Sequence, residues 1–123
     1  MKATIISIVI SITLVGSVLF FMNNKSSQNN VSIVDGKQII EISAKGGYSP
    51  KLTTAKAGLP TILKMKTQST FDCSSSLFIP ALNYRTNLIP SGTTDIEVSP
   101  QKSGTTLQGL CAMGMFGFKV KFN

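Results

Sequence analysis

An antiparallel β-sandwich or barrel of seven or eight short strands, behind one N-terminal apolar helix, is the fold this sequence predicts. Three observations carry the prediction. Beyond residue 30 helical periodicity is absent, and apolar residues instead recur at a period of two. Prolines at 50, 60, 80, 90 and 100 punctuate the chain about every ten residues, mostly beside Gly or Ser. Residues 3–22, by contrast, are twenty uncharged and mostly apolar positions following Lys2. No internal repeat is visible, and 123 residues leave room for a single domain.

The apolar segment comes first. At about 1.5 Å per residue it reaches roughly 30 Å, one hydrocarbon core, so residues 1–22 are expected to form a transmembrane anchor. A cleavable signal peptide competes, since Val15 and Ser17 could flank a cut. The apolar run continues through Val18-Leu19-Phe20-Phe21-Met22, past where such a segment would stop, and this favours an uncleaved anchor. No cysteine lies near the N-terminus to carry a lipid. Lys2 and the α-amino group nearly balance Lys25 across the segment, so its early position decides orientation: N-terminus in the cytoplasm, domain outside. Residues 23–30, NNKSSQNN, are expected to be a flexible polar tether spanning at most about 28 Å. Residues 31–123 remain for the folded domain, small enough that burial alone gives marginal stability.

Four runs within that domain alternate clearly: 38–43, 60–66, 94–98 and 116–122. The last places Phe118, Val120 and Phe122 on one face and Lys119 and Lys121 on the other, so it should pack on the core. Met65, between Lys64 and Lys66, is expected in the core for the same reason. Twelve basic against five acidic residues give a net charge of +7. With a membrane anchor and no aromatic-basic stripe, nucleic acid is excluded as a partner. Most lysines form a solvated strand face, with attraction to anionic lipid or an acidic partner as a secondary role.

The chemistry lies in Cys111-Ala112-Met113-Gly114-Met115, the loop feeding the last strand, where Gly114 and Gly117 let the backbone bend. In an extended chain residues two apart project to one side, so the three sulfurs could converge. The plain alternative is that Met113 and Met115 plug gaps in the core. Cys73, the other cysteine, is expected at a strand entrance before Leu77-Phe78-Ile79. Thiolate and thioether select Cu(I) over harder ions, and zinc does not ordinarily take thioether. A blue-copper electron-transfer centre needs two imidazoles, and the chain has no histidine. Cys73, Cys111, Met113 and Met115 are therefore the candidate metal ligands, with Glu41 as a weak auxiliary; Asp72 is the other nearby oxygen donor. Four sulfurs hold one Cu(I), or two if the thiolates bridge. Silver would satisfy the same set. A disulfide between the two cysteines is the competing use of the thiols outside the cytoplasm. No catalytic histidine, acid/base carboxylate pair or CxxC motif is present, so an enzyme is not expected.

Lys45-Gly46-Gly47-Tyr48-Ser49-Pro50-Lys51, Phe78-Ile79-Pro80, Leu88-Ile89-Pro90-Ser91-Gly92 and Cys111-Ala112-Met113-Gly114-Met115 together resemble the cupredoxin-like domains of bacterial copper-handling systems, over about residues 38–123. With the single anchor, the chain is most similar to the CupA-type membrane-anchored Cu(I) chaperones of Gram-positive bacteria. The resemblance implies a Greek-key β-sandwich with ligands at Cys73, Cys111, Met113 and Met115. It also implies a metallochaperone for copper export and resistance that exchanges Cu(I) with a copper-exporting P-type ATPase, and the domain is expected to be a monomer. The missing histidines depart from the electron-transfer members. Two other readings stay open: a disulfide-stapled surface module without metal, and a copper redox subunit.

Overall fold

The structure is a computed structural model that describes residues 1–22 and 29–123, with side chains for 1–17 and 29–123. Helix α1 runs Lys2–Met22. Its Ile, Val and Leu side chains at 5, 6, 8, 9, 10, 12, 14 and 15 are all exposed. Among the described residues no helix is long and apolar enough to cross a membrane, so the transmembrane span expected over residues 1–22 is not supported here. Six of the eight residues expected to form the tether, 23–28, lie outside the described residues.

Ten strands are present among the described residues: β1 Val31–Val34, β2 Lys37–Ala44, β3 Tyr48–Ser49, β4 Leu52–Ala55, β5 Thr61–Thr67, β6 Ser76–Ile79, β7 Tyr84–Asn87, β8 Gly92–Val98, β9 Thr106–Cys111 and β10 Gly117–Phe122. They form two five-stranded sheets. The first has the order β1-β2-β5-β8 with β3 on β2, and the second β4-β10-β9-β6-β7. The sandwich is as expected, but its sheets are mixed rather than antiparallel: β2 pairs parallel with β5, and β4 with β10. Period-two alternation looks the same in either pairing, because it records only which side is buried.

That alternation fills the space between the sheets. Ile40, Ile42, Leu63, Met65, Ile96 and Val98 face inward from the first sheet, and Leu77, Ile79, Leu107, Phe118, Val120 and Phe122 from the second. Among the described residues, none of the core belongs to α1. Met65 and the Phe118/Val120/Phe122 face lie where alternation puts them. Gln38, polar at the start of β2, is nonetheless fully buried. Its amide nitrogen donates to the Lys56 carbonyl (3.0 Å) and Thr61 Oγ1 (3.2 Å), and its oxygen accepts the Lys56 N–H at 2.9 Å. With every polar atom paired, its burial carries no unsatisfied group. Asn30 joins the sandwich, its side-chain amide donating to Thr53 Oγ1 at 2.9 Å and the Glu41 carbonyl at 3.3 Å.

Candidate metal centre

Cys73 and Cys111 meet at one end of the second sheet. Cys73 opens a 3-10 turn, Cys73–Ser75, that leads directly into β6, the strand entrance where it was expected. Asp72 shapes that turn: its carbonyl accepts the Ser75 N–H at 3.1 Å and the Ser75 hydroxyl at 2.9 Å, and its carboxylate accepts the Ser74 hydroxyl at 2.8 Å. The Ser74 hydrogen bond holds the Asp72 carboxyl below its usual range. Cys111 ends β9, only 2% exposed, opposite Leu77 of β6. The two cysteines, 38 residues apart in sequence, have Cα atoms 5.6 Å apart and are joined as a disulfide.

The loop after Cys111 does not continue extended. The Gly114 N–H donates to the Cys111 carbonyl at 2.9 Å, which closes a tight turn, and Gly114 adopts φ +71. The expected same-side projection of Cys111, Met113 and Met115 therefore gives way to a reversal that puts the cysteine inside and the methionines outside. Met113 is 77% exposed and Met115 68%, so neither plugs the core. Gly117 does not bend the chain as expected. A Cβ there would lie 3.0 Å from Leu110 and 3.2 Å from the Gly109 carbonyl, so close packing is what requires glycine. The Phe116 N–H points at Cys111 Sγ (3.4 Å), a donor that favours negative charge on the sulfur once the bond is reduced. The Ala112 N–H donates to the Ser76 carbonyl at 2.9 Å and fixes the loop to the strand that follows Cys73.

Glu41 is not brought to this tip. It faces outward from the first sheet, and its carboxylate pairs with Lys66 Nζ at 2.9 Å. Among the described residues no three His, Cys, Asp or Glu side chains gather into a cation site. The tip carries the joined sulfurs of Cys73 and Cys111, with Met113 and Met115 exposed on the loop that follows Cys111. Residue-by-residue reading gave no role to Tyr48, which buttresses the tip. Its ring packs edge-on to Phe118, centroids 5.1 Å apart, and a cleft beside it is lined by Lys45, Met115 and Phe116. The only signal for it was an aromatic residue between Gly47 and Pro50.

A family model described as the cupredoxin-like domain matches residues 11–122. No curated protein matches the chain. Among solved structures, the solution structure of a copper binding protein in the apo form is similar at 22% identity and a TM-score of 0.68, covering 76% of this chain and 94% of that one. The metal binding domain of the Streptococcus pneumoniae D39 Cu(I) exporting P-type ATPase CopA, solved with Cu(I), is similar at 20% identity and a TM-score of 0.68, covering 76% and 92%. Auracyanin B is more distant, at 8% identity and a TM-score of 0.51, covering 77% and 95%. At these identities the likeness is one of fold.

Proposed function

The chain belongs to the cupredoxin-like domain family, and from that premise we propose that it is a membrane-anchored, extracytoplasmic Cu(I) chaperone of the CupA type. It holds Cu(I) by Cys and Met sulfur and exchanges it with a copper-exporting P-type ATPase. The observation that carries the reading is the meeting of Cys73 and Cys111 at one tip, beside a loop that exposes Met113 and Met115. The thiolates of buried Cys111 and half-buried Cys73, once reduced, supply a tight position, and solvent-facing thioethers supply a looser one through which the ion enters and leaves. Thiolate bridging gives room for a second ion. The likeness to the Cu(I)-bound domain of an exporting ATPase supports the export context. Anchoring rests on the sequence of residues 3–22, twenty uncharged and mostly apolar positions, and not on the described part of α1. A tethered donor meets an integral partner at raised effective concentration.

Disulfide-bonded sulfurs are not thiolate ligands, so the Cys73–Cys111 bond must first take two electrons from an external dithiol, itself oxidised to a disulfide, and the two thiols formed release their protons as they bind Cu(I). The test is an anaerobic Cu(I) titration of residues 23–123, reduced and oxidised, against a competing chelator. Reduced protein should withdraw Cu(I), while the oxidised form and the Cys73→Ser and Cys111→Ser variants should compete poorly. Failure of the reduced wild type to compete would sink the reading. The bonded cysteines favour a second reading, a stapled sandwich that carries no metal. It predicts the same titration in both redox states.

A further inference from the structure

The two faces of the sandwich differ in charge. Solvent-facing positions on the first sheet set Lys37, Lys64 and Lys66 against Glu41, Asp95 and Glu97. Both ion pairs among the described residues lie there, Lys66–Glu41 at 2.9 Å and Lys64–Asp95 at 3.5 Å. None of the five strands of the second sheet contains an acidic residue. Its charges are Lys119 and Lys121, on the outer side of β10, and Arg85 on the edge strand β7, whose guanidinium carbon stands 3.9 Å from the centroid of the Phe78 ring. Leu52, opposite Lys119 in the β4–β10 register, is 55% exposed. Of the remaining acids, Asp35 is in the β1–β2 turn and Asp72 precedes the Cys73 turn.

We propose that the outer face of the second sheet rests on anionic lipid headgroups. The cations are spread from β10 to the opposite edge of the sheet rather than gathered into a socket, which matches a planar layer of negative charge better than a shaped acidic protein. The choice of lipid also rests on the proposed anchoring, which keeps the domain within a tether's length of a bilayer. Each Lys or Arg near such a surface raises partition about fivefold. A sheet lying flat on headgroups holds the sulfur tip sideways, along the plane of the membrane.

The test uses residues 29–123, whose core among the described residues draws nothing from α1, so it does not depend on the anchor. Sedimentation is measured with phosphatidylcholine vesicles with and without phosphatidylglycerol, at low and high salt. Binding should need phosphatidylglycerol and disappear at high salt. Lys119→Gln with Lys121→Gln should weaken it about 25-fold, two residues at about fivefold each. Lys64→Gln with Lys66→Gln removes the same net charge from the other face and should leave binding nearly unchanged. No dependence on phosphatidylglycerol, equal losses in both variants, or binding to an acidic polypeptide but not to lipid would each overturn the proposal. Anchoring is tested separately, by whether the full chain stays with membranes after an alkaline carbonate wash.

Discussion

The Tyr48 hydroxyl donates a hydrogen bond to the Ser74 carbonyl at 3.0 Å, both groups buried. It ties β3 to the turn that begins with Cys73. The same ring stands edge-on to Phe118 of β10, the strand fed by the methionine loop. One side chain thus holds both halves of the sulfur site in register. Burial first, and the negative charge of Asp72 second, push its phenol up to about 12.

Tyr48→Phe should lower stability by about 1–2 kcal/mol, because the Ser74 carbonyl stays buried and loses its donor. Chemical denaturation at neutral pH measures this. The pH dependence has a definite sign. The folded state favours the protonated phenol, so this contribution is fully present below pH 10 and is lost as pH rises through about 12. The gap between wild type and Tyr48→Phe should therefore shrink over that window; a gap that stays constant would contradict the assignment.

Replacing both Met113 and Met115 by Leu should leave stability within about 0.5 kcal/mol, since both side chains face solvent. Cu(I) competition should fall all the same, because the apolar shape is kept and only the sulfur is removed. Thermal unfolding and chelator competition on one preparation separate the two effects. Undiminished competition would remove the thioethers from the ligand set.

The sandwich was legible in the sequence because burial on one side imprints a period of two, as in Phe118, Val120 and Phe122. Strand partners were not, since β2 alternates identically beside a parallel or an antiparallel neighbour. Gln38 was hidden for a related reason: its burial depends on Lys56 and Thr61, which no local pattern connects to it. At the site, Cys73, Cys111, Met113 and Met115 stood out by sulfur chemistry and spacing, and the fold brings the two cysteines together. The turn that hides Cys111 and exposes Met113 depends on one backbone reversal at Gly114, which spacing alone does not show. Alternation also puts Glu41 and Lys66 on the outer face; what it does not show is that the β2–β5 pairing sets them side by side, with the Glu41 carboxylate on Lys66 rather than free as an auxiliary ligand.

Gly109→Ala probes the packing behind the site. Phe118 lies directly across from Gly109 in the β9–β10 register, and a Cβ added there would overlap the Phe118 ring. Overpacking of this kind costs about 1–3 kcal/mol. The strain falls two residues before Cys111, so Cu(I) competition by the reduced variant should weaken along with its denaturation midpoint. A variant as stable as wild type would show that the ring moves aside without effort.

The cysteine pair can close the same loop in two ways, and stability distinguishes them. A covalent bridge across 38 residues restricts the unfolded chain by about 4 kcal/mol in the chain-entropy treatment. Reduction should therefore lower the unfolding free energy by up to that amount. A Cu(I) ion held by both thiolates links the same residues, and it stabilises further by binding the folded form in preference to the unfolded one. Stoichiometric Cu(I) added to reduced protein should recover most of the lost stability, while the oxidised protein should not respond. Cys111→Ser, reduced and given Cu(I), should recover clearly less, because one of the two thiolates is gone and only the weaker thioethers of Met113 and Met115 remain to link that loop to Cys73. If reduced wild type gains nothing from Cu(I), the cysteines serve only as a staple.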